Sequence, residues 1–562
     1  MSPTLRDELT HRLREAARAG RTAATVVRDS GLLQALRLRG LYDFARGSRG
    51  ASGGPSLVIR LHAANTPHKL ALVDGDVRLT YRDLDARINR LANALRELGV
   101  GPGARVGIMM RNRHEYLEAQ WAIMRLGALA VQIGYRLKAA EVAYILENSE
   151  PLALLFEGEL ADVVHAARAQ AGLPRDQRGV IATDAAPGAR RYEQVLASGS
   201  ADLPAPPASG RRAAGGTGGV MIYTSGTTGR PKGAARDFRK TFHAPVTDFL
   251  AQVKFRHDDR HLVVCPLYHS APPAFMALTY MFGGTCVLAQ GSFDPERVLT
   301  LIERERITTS FMVPTLLGRL ASLPAQTRRK YDTSSLRWLL SGAAPLPTDT
   351  ARRVEEAFGP ILYNFYGATE TGMVTLAAPG EHTARPGMIG RVLHGNDVRL
   401  LDDAGQPVPP GQPGELYVKS TMLVPGYHRN RDATQKAMRE GYFSVGDVGR
   451  VDADGYYYLA DRKSDMVISG GVNIYPQEIE QHLHMHPAIA ECAVIGVPDA
   501  DWGESLKAFV VTREGARVSA DELRSFCREG LADYKCPKVF EMIDALPRNP
   551  TGKVLKRELR LR

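Results

Sequence analysis

Short apolar runs alternate with amphipathic segments along most of the chain. The segment LTYRDLDARINRLANALRELGV (residues 79–100) places apolar side chains at helical spacing and is followed by ARVGIMM, a short apolar strand pattern. The runs LALLF, VMIYTS and TCVLA repeat this alternation farther along the chain. Short apolar strands that alternate with helices predict parallel-type sheets covered by helices, which is an α/β architecture.

The pattern changes near residue 385. Residues 385–461 combine short strand patterns with Gly, Pro, Asn and Asp turn signals, which predict a small β subdomain of antiparallel strands. Residues 465–562 have the pattern of a compact α+β domain. We therefore predict a large domain over residues 56–461, a small mobile C-terminal domain over residues 465–562, and a hinge near residues 462–465.

Residues 1–55 form a basic N-terminal arm. Leu5, Leu9 and Leu13 recur at helical spacing, and a second group of leucines follows over residues 32–41, which predicts two short amphipathic helices. Residues 1–60 contain eleven arginines, no lysine and five acidic residues. Two interpretations are open for the arm: its helices lie on an anionic membrane surface, or they dock on the large domain.

Composition excludes several classes of protein. A chain of 562 residues is too long for one core, and its 44% hydrophobic and 24% charged residues are ordinary globular values. We expect no export signal and no membrane span, since no apolar run reaches about 18 residues. Five scattered cysteines without a CxxC pair argue against a disulfide framework and favour a cytoplasmic protein, with peripheral membrane contact at the inner face as an option. The basic pI of 9.4 does not by itself indicate a nucleic acid partner.

The segment YTSGTTGRPKG (Tyr223–Gly233) has the composition of a phosphate-binding loop. It is not a Walker A loop, because Pro231 replaces the second Gly of that motif and Gly233 replaces its Ser or Thr. Its glycines and hydroxyl groups suit a polyphosphate, whereas the alternative on this segment alone is a Gly/Ser linker.

Three further segments identify a family. YNFYGATETG (Tyr363–Gly372), YFSVGDVGRVDADGYYYLADRKSD (Tyr442–Asp465) and PRNPTGKVLKREL (Pro547–Leu559) follow the loop in the order typical of the adenylate-forming enzymes. That superfamily includes acyl-CoA synthetases, luciferases and the adenylation domains of peptide synthetases, and the chain resembles bacterial fatty acyl-CoA synthetases most. The resemblance begins near Leu57 and implies ATP, Mg²⁺ and CoA as cofactor and co-substrates.

The resemblance implies a nucleotide site made from several segments. The β- and γ-phosphates would lie against the loop residues Thr224, Ser225, Gly226, Thr227, Thr228, Gly229 and Lys232. Adenine would lie between the turn Gly342, Ala343 and Ala344 and the segment that contains Asn364, Tyr366 and Gly367.

The same resemblance implies roles for four polar residues. Thr369 would bind the α-phosphate and Glu370 would hold Mg²⁺, a cation that prefers carboxylate and phosphate oxygens. Asp447 would accept hydrogen bonds from the ribose, and Arg462 would reach the ribose and phosphate. Here the chain departs from the family twice, with Val445 in place of a threonine and Ser464 at the usually charged hinge position.

The two half-reactions imply two positions of the small domain. Lys553 would bridge the substrate carboxylate and the α-phosphate during adenylation. The small domain would then swing so that Gly470 and Gly471 leave room for the pantetheine arm of CoA.

His269, in the segment PLYHSAPP, lies where the family has a gate between the acyl pocket and the thiol tunnel; the alternative is an ordinary packed histidine. Ser270 follows it, where members that activate amino acids carry an aspartate. A buried substrate ammonium would then lack a counter-ion, so an α-amino acid is not expected. The apolar flanking segments suit an alkyl or aryl carboxylate.

We predict an AMP-forming acid–CoA ligase that activates a medium- or long-chain fatty acid. Within the enzyme class the alternative is an acyl-AMP ligase that loads a separate carrier protein. From another class, the alternative is a basic nucleotide-binding protein without catalysis, against which the presence of Lys553, Glu370 and Asp447 argues. The oligomeric state stays open.

Overall fold

A computed structural model of the protein describes residues 3–48, 56–173, 179–205, 218–224, 231–237, 244–469, 472–499, 501–548 and 554–562, with side chains from residue 17 onward. The chain divides into two compact units. The first unit consists of Met1–Phe311, Gln326–Leu339 and Val424–Thr434. The second unit consists of Met312–Ala325, Leu340–Leu423 and Gln435–Arg562.

Helices occur throughout the described residues. In chain order they are α1 Pro3–Ser30, α2 Leu32–Ala35, α3 Leu38–Gly47, α4 Leu57–Asn65, α5 Tyr81–Glu97, α6 His114–Arg125, α7 Ala139–Ser149, α8 Ala161–Gln170, α9 Tyr192–Ser198, α10 Ala244–Val253, α11 Ala271–Phe282, α12 Pro295–Arg304, α13 Pro314–Ala321, α14 Ala325–Arg328, α15 Thr348–Phe358, α16 Glu381–Ala384, α17 Arg431–Ala437, α18 Pro476–Leu483, α19 Ala520–Gly530 and α20 Lys556–Leu559.

The strands are short, as the apolar runs predict. In chain order they are β1 Leu70–Asp74, β2 Val77–Thr80, β3 Arg105–Met109, β4 Leu129–Gln132, β5 Ala153–Phe156, β6 Val180–Ala182, β7 Arg190–Arg191, β8 Gly219–Thr224, β9 Lys232–Asp237, β10 Arg260–Val263, β11 Thr285–Leu288, β12 Thr309–Phe311, β13 Trp338–Ser341, β14 Leu362–Ala368, β15 Gly372–Ala377, β16 Met388–Val392, β17 Asn396–Leu401, β18 Gly414–Ser420, β19 Met438–Arg439, β20 Tyr442–Phe443, β21 Asp447–Val451, β22 Tyr457–Arg462, β23 Val467–Ser469, β24 Val472–Ile474, β25 Ile489–Asp499, β26 Gly503–Thr512 and β27 Val539–Met542.

The first unit is built from parallel strands and helices. One sheet has the order β7-β6-β5-β3-β4-β8-β9, and all of its neighbouring strands are parallel except the β8–β9 pair. In a second sheet β10 pairs in parallel with β11 and β12, and β1 pairs in parallel with β11. The predicted α/β class is therefore confirmed.

Local sequence signals explain where several helices begin. α5 starts with a capping box, in which the Thr80 hydroxyl accepts a hydrogen bond from the Asp83 amide and the Asp83 carboxylate accepts one from the Thr80 amide. α12 begins after Asp294, whose carboxylate accepts from the Arg297 amide, and Pro295 occupies the first turn. The predicted helix over residues 79–100 is thus confirmed, with bounds set by its cap.

A buried arginine joins three segments of the first unit. Arg125, at the end of α6, donates to Asp85 Oδ1 at 2.8 Å, to Asn89 Oδ1 at 2.6 Å and to the carbonyl oxygen of Ser56 at 2.8 Å. Burial lowers the pKa of Arg125, and the neighbouring Asp85 opposes that effect. This ion pair holds α5 and α6 together and attaches the chain just before α4.

The N-terminal arm differs from the predicted two short helices. α1 is 28 residues long and continues through Gly20, and the second leucine group divides into α2 and α3. The end of α1 lies against the first unit, where the carbonyl oxygen of Ser30 accepts from the His257 amide at 2.8 Å and Val26 is buried. α3 packs against α4.

The second unit contains the predicted antiparallel β structure. Strands β14 to β22 form antiparallel pairs, including β14–β15, β16–β22, β18–β21 and β21–β22. The C-terminal segment adds a sheet of order β24-β23-β26-β25, with β27 parallel to β26. Its core packs α18 and α19 against this sheet.

Within the described part of the chain, no helix is long and apolar enough to cross a membrane.

The Arg125 ion pair gives a stability prediction. Arg125→Met should lower the free energy of unfolding by about 3–5 kcal/mol, because it leaves the Asp85 carboxylate buried without its main partner. Urea denaturation measures the loss. Arg329→Met, at an exposed position, is the matched control and should change stability by less than about 0.5 kcal/mol.

The double variant Arg125→Met with Asp85→Asn removes the carboxylate charge, which in Arg125→Met keeps its 3.3 Å ion pair with Arg60. It should recover part of the lost stability, and a double variant that is no better than Arg125→Met alone would contradict the ion-pair account.

Candidate active site

In the first unit, the predicted phosphate loop joins the two strands of a hairpin. β8 and β9 pair in antiparallel register, with Thr224 opposite Lys232 and Tyr223 opposite Gly233. Residues 225–230, and with them the predicted Ser225, Gly226, Thr227, Thr228 and Gly229, lie outside the described residues. The hairpin therefore brings Thr224 and Lys232 to the base of this loop.

Aromatic side chains fix the base of the loop. The Tyr223 hydroxyl donates to Asn148 Oδ1 at 2.8 Å, and the Tyr144 hydroxyl donates to the carbonyl oxygen of Pro231 at 3.1 Å. The Lys232 ammonium lies 4.9 Å from the centre of the Tyr427 ring, a cation–π distance. Both ends of the loop are thus attached to packed residues, and the positive charge of Lys232 lies at the C-terminal end of the loop.

His269 lies in the connection between β10 and α11. The Asn112 side chain holds this connection on both sides, since it donates to the carbonyl oxygen of Cys265 at 3.0 Å and accepts from the Leu267 amide at 2.9 Å. The His269 ring lies 4.2 Å from the ring of Tyr268. The first unit therefore fixes the position of His269 through a neighbouring amide and a neighbouring ring.

The imidazole of His269 is neutral at ordinary pH. Burial, and then the positive charge of Arg136, lower its pKa to about 4. Its Nε2 is shielded from solvent and has no hydrogen-bond partner among the described residues. An unpartnered buried nitrogen is compatible with the gate interpretation, but His62 Nδ1 and His382 Nδ1 are unpartnered in the same way, so this atom does not decide between the gate and a packed histidine.

In the second unit, the predicted adenine turn has strained backbone. Ala343 has φ of 68°, in the left-handed region that non-glycine residues rarely adopt. A Cβ on Gly342 would collide with the Phe365 ring, so only glycine permits this approach to β14. Ala343 and Ala344 are exposed and present a small, flat surface.

The hairpin β14–β15 presents Thr369 and Glu370. Ala368 pairs with Gly372, so Thr369 and Glu370 lie in the connecting turn, and the Ala368 amide donates to the Thr371 hydroxyl at 3.1 Å. A Cβ on Gly367 would collide with the carbonyl oxygen of Gly372. Only glycine at position 367 therefore permits the two strands to approach each other at the end of this hairpin.

Three predicted nucleotide residues from distant segments are in contact. The Tyr366 hydroxyl donates to Asp447 Oδ2 at 2.7 Å, and Arg462 Nε lies 3.3 Å from Asp447 Oδ1. β21 and β22 place Asp447 directly opposite Arg462. Burial, followed by the charge of Asp447, raises the pKa of Tyr366 well above its ordinary value. The phenol is therefore a permanent donor that orients the carboxylate.

Two buried polar atoms here have no partner among the described residues: Ser341 Oγ, directly before the adenine turn, and Asn364 Oδ1 on β14. Orphaned buried groups are costly unless a ligand or water satisfies them. A nucleoside, with several donors and acceptors, fits this requirement, and the oxygens of Glu370 and Asp447 are of the kind that Mg²⁺ and ribose hydroxyls bind. The residues present thus fit ATP and Mg²⁺.

A lysine that sequence reasoning missed lies beside the predicted hinge, with its side chain only 13% exposed. Lys556 Nζ is 2.8 Å from Glu480 Oε1 and 3.8 Å from Asp461 Oδ2. Burial alone would lower the pKa of Lys556, but Glu480 and Asp461 raise it on balance. Burial raises the pKa of Asp461 to about 6, although Lys556 opposes the shift. The only signal in the sequence is the place of Lys556 three residues after Lys553.

Lys553, Gly470 and Gly471 lie outside the described residues. The residues that flank them are described: Arg548 and Val554 form an antiparallel bridge, and Ser469 pairs with Val472.

Comparison with protein families gives two matches. The model of the AMP-binding enzyme family matches residues 59–428, and that of the AMP-binding enzyme C-terminal domain matches residues 478–553. A large N-terminal and a smaller C-terminal domain follow from these matches, as predicted.

The matches to individual relatives extend over nearly the whole length of those relatives. A feruloyl-CoA synthase of an Amycolatopsis species is 39% identical, over 89% of this chain and 97% of the relative. A long-chain-fatty-acid–CoA ligase of Mycobacterium tuberculosis is 35% identical, over 90% of this chain and 97% of the relative. Among solved structures, an anthranilate CoA ligase in complex with anthranoyl-AMP has a TM-score of 0.81 at 28% identity, over 91% of this chain and 97% of that one.

The low pKa of His269 gives a pH prediction. Its native pKa of about 4 lies below the ordinary 6.5, so its contribution to stability is complete above pH 6.5 and is lost as the pH falls towards 4. His269→Gln cannot be protonated and should lose less stability than the wild type over this window. Denaturation midpoints at several pH values measure the difference.

Other buried histidines contribute to the loss of stability at low pH in both proteins. One of them is His261, whose pKa is lowered to about 3 by burial. The matched control is His68→Gln, at an exposed position, which should follow the wild-type curve. If His269→Gln also follows the wild-type curve, the imidazole is not buried in solution.

Proposed function

The chain belongs to the AMP-binding enzyme family, and we propose that it activates a hydrophobic carboxylic acid, in the first place a medium- or long-chain fatty acid. It is an ATP-dependent acid–CoA ligase that works through acyl-AMP, with Mg²⁺ and CoA as further requirements. The observation that carries the nucleotide site is the contact of Asp447 with Tyr366 and Arg462.

In the first half-reaction a carboxylate oxygen attacks the α-phosphorus of ATP, and the bond from that phosphorus to pyrophosphate breaks. The residues of this chain bind and orient ATP. Lys232 and the loop before it bind the departing phosphates, Thr369 binds the α-phosphate, and Asp447 binds the ribose. Glu370 would hold Mg²⁺, which neutralises phosphate charge. Most of the catalysis in such a transfer comes from positioning and charge stabilisation.

In the second half-reaction the sulfur of CoA attacks the acyl carbon, and AMP leaves with the carboxylate oxygen. We propose that the small domain turns about residues 462–465 between the two steps, so that Lys553 withdraws and the segment with Gly470 and Gly471 approaches. Lys463 and Ser464 are exposed, whereas Asp461 before them is buried, which supports a pivot at this point.

The surroundings of His269 support a hydrophobic acid. The neutral ring offers no charge to a substrate, and α11 after it is largely apolar. Ser270 gives no anionic partner for an amino group, so a buried ammonium would be strongly disfavoured. An unsubstituted acyl chain has no charged group, so its burial carries no such cost.

A second candidate is an aryl acid, which the 39% identical feruloyl-CoA synthase favours. The acyl acceptor is CoA. Loading of a separate carrier protein is the alternative that the acceptor assay below tests. Family membership argues against a nucleotide-binding protein without catalysis.

The substrate prediction is tested by pyrophosphate release from ATP. Decanoate and palmitate should give the highest kcat/KM, ferulate an intermediate value, and phenylalanine no release above background, because its ammonium would be buried without a partner. Thioester product measured with CoA and with an acyl carrier protein identifies the acceptor. Preference for ferulate would move the assignment to aryl acids, and release with phenylalanine would contradict the role of Ser270.

The role of Lys553 is tested by separating the half-reactions. Lys553→Ala should slow acyl-adenylate formation by about 10²–10³-fold, because the developing charge loses a positioned cation. Thioester formation from supplied acyl-AMP should change far less. The matched control Lys436→Ala, at an exposed position, should leave both steps intact. Equal loss of both steps would contradict two positions of the small domain.

A further inference from the structure

Among the described residues, the helix α3 of the N-terminal arm packs on α4 through the side that carries Gly40. Gly40 is buried so close to Asn65 that a Cβ would collide with that side chain, and the Arg37 amide donates to Asn65 Oδ1 at 2.8 Å. With α1 held at Ser30, the arm has a fixed orientation. The side of α3 opposite Gly40 therefore faces solvent.

That outward side carries large apolar side chains. Leu38 is 89% exposed and Tyr42 is 63% exposed, with Leu41 between them and Leu33 of α2 also 69% exposed. At 100° per residue, Leu38, Leu41 and Tyr42 share one side of the helix. Amphipathic helices of soluble proteins normally turn such a side towards the core, so this one is arranged for a partner.

Positive charge borders the apolar side. Arg37, Arg39 and Arg46 are exposed, and Asp43 is the one acidic residue of the helix. A second copy of the chain docked symmetrically would bring these arginines against one another, which disfavours self-association. Anionic lipid headgroups complement the charge, while the acyl boundary accepts leucine and tyrosine.

We propose that α2 and α3 form an interfacial anchor that holds the protein on an anionic membrane surface. Leu33, Leu38 and Tyr42 enter the headgroup–acyl boundary, and the arginines lie at the level of the lipid phosphates. The anchor precedes residue 59, where the match to the family begins, so it is an addition to the catalytic body. It does not depend on which acid the enzyme activates.

Co-sedimentation with vesicles tests the anchor. Full-length protein should bind vesicles of phosphatidylcholine with phosphatidylglycerol at low salt, and bind vesicles of phosphatidylcholine alone much less. Arg39→Gln with Arg46→Gln should weaken partitioning by about 30-fold, since each arginine near an anionic surface contributes about fivefold. Leu38→Gln with Tyr42→Gln should weaken it by at least about tenfold.

Matched controls separate the anchor from general charge and apolarity. Arg190→Gln with Arg297→Gln removes the same charge at exposed positions elsewhere, and Leu152→Gln with Leu561→Gln removes exposed leucines; both should bind vesicles as the wild type does. All variants should keep wild-type circular dichroism and wild-type pyrophosphate release with a soluble short acid, so failure of the anchor is distinct from failure of the enzyme.

Three results would overturn the proposal. The first is no binding of the wild type to anionic vesicles, and the second is equal loss in the anchor variants and their controls. The third is a dimer, seen by light scattering, that Leu38→Gln with Tyr42→Gln abolishes while vesicle binding is unchanged; the occupant would then be a second copy.

Discussion

The ammonium group of Lys556 lies between carboxylates on both sides of the proposed hinge, on which the proposed domain movement depends. Lys556 contacts Asp461, which precedes the predicted hinge, and Glu480, which follows it. The shorter contact, to Glu480, joins two parts of the small domain, whereas the longer one, to Asp461, crosses the hinge. A turn about residues 462–465 can keep the first contact only by giving up the second. Asp461 also accepts hydrogen bonds from the amides of Arg462 and Gln477, and the Gln477 bond, like the contact with Lys556, crosses the proposed hinge.

Shielded polar atoms lie at two of the proposed ligand sites, as they do elsewhere in the described core, for example at Trp338 Nε1. His269 Nε2, Ser341 Oγ and Asn364 Oδ1 are buried without partners among the described residues. Each makes the protein less stable than a fully satisfied interior would. Asp447 is the opposite case, because Tyr366 and Arg462 already engage both of its oxygens. Ribose binding there must share or displace these contacts, which makes the carboxylate a rigid acceptor.

Sequence patterns predicted the parts of the site but not their contacts. The helix α5 and the strands β3, β5 and β11 follow from local periodicity, and the residues of β14 and β21 follow from motifs. The hydroxyl contact from Tyr366 to Asp447 spans 81 residues and depends on strand order, which no local pattern contains. Lys556 was missed for the same reason, since a lysine at the chain end looks solvated until its tertiary neighbours are known. α1 continues through Gly20 because one weak helix former does not outweigh its neighbours.

The left-handed Ala343 limits what protein engineering can change in this enzyme. This backbone conformation costs alanine about 1–2 kcal/mol of conformational free energy. The cost is absent for glycine and larger for β-branched residues. Gly342 admits no side chain at all, because Phe365 fills the space. Libraries that aim at a new acyl specificity therefore gain little by randomising this turn. Variation is better directed to the connection around His269, where no described residue has a positive φ and the neighbouring side chains set the shape.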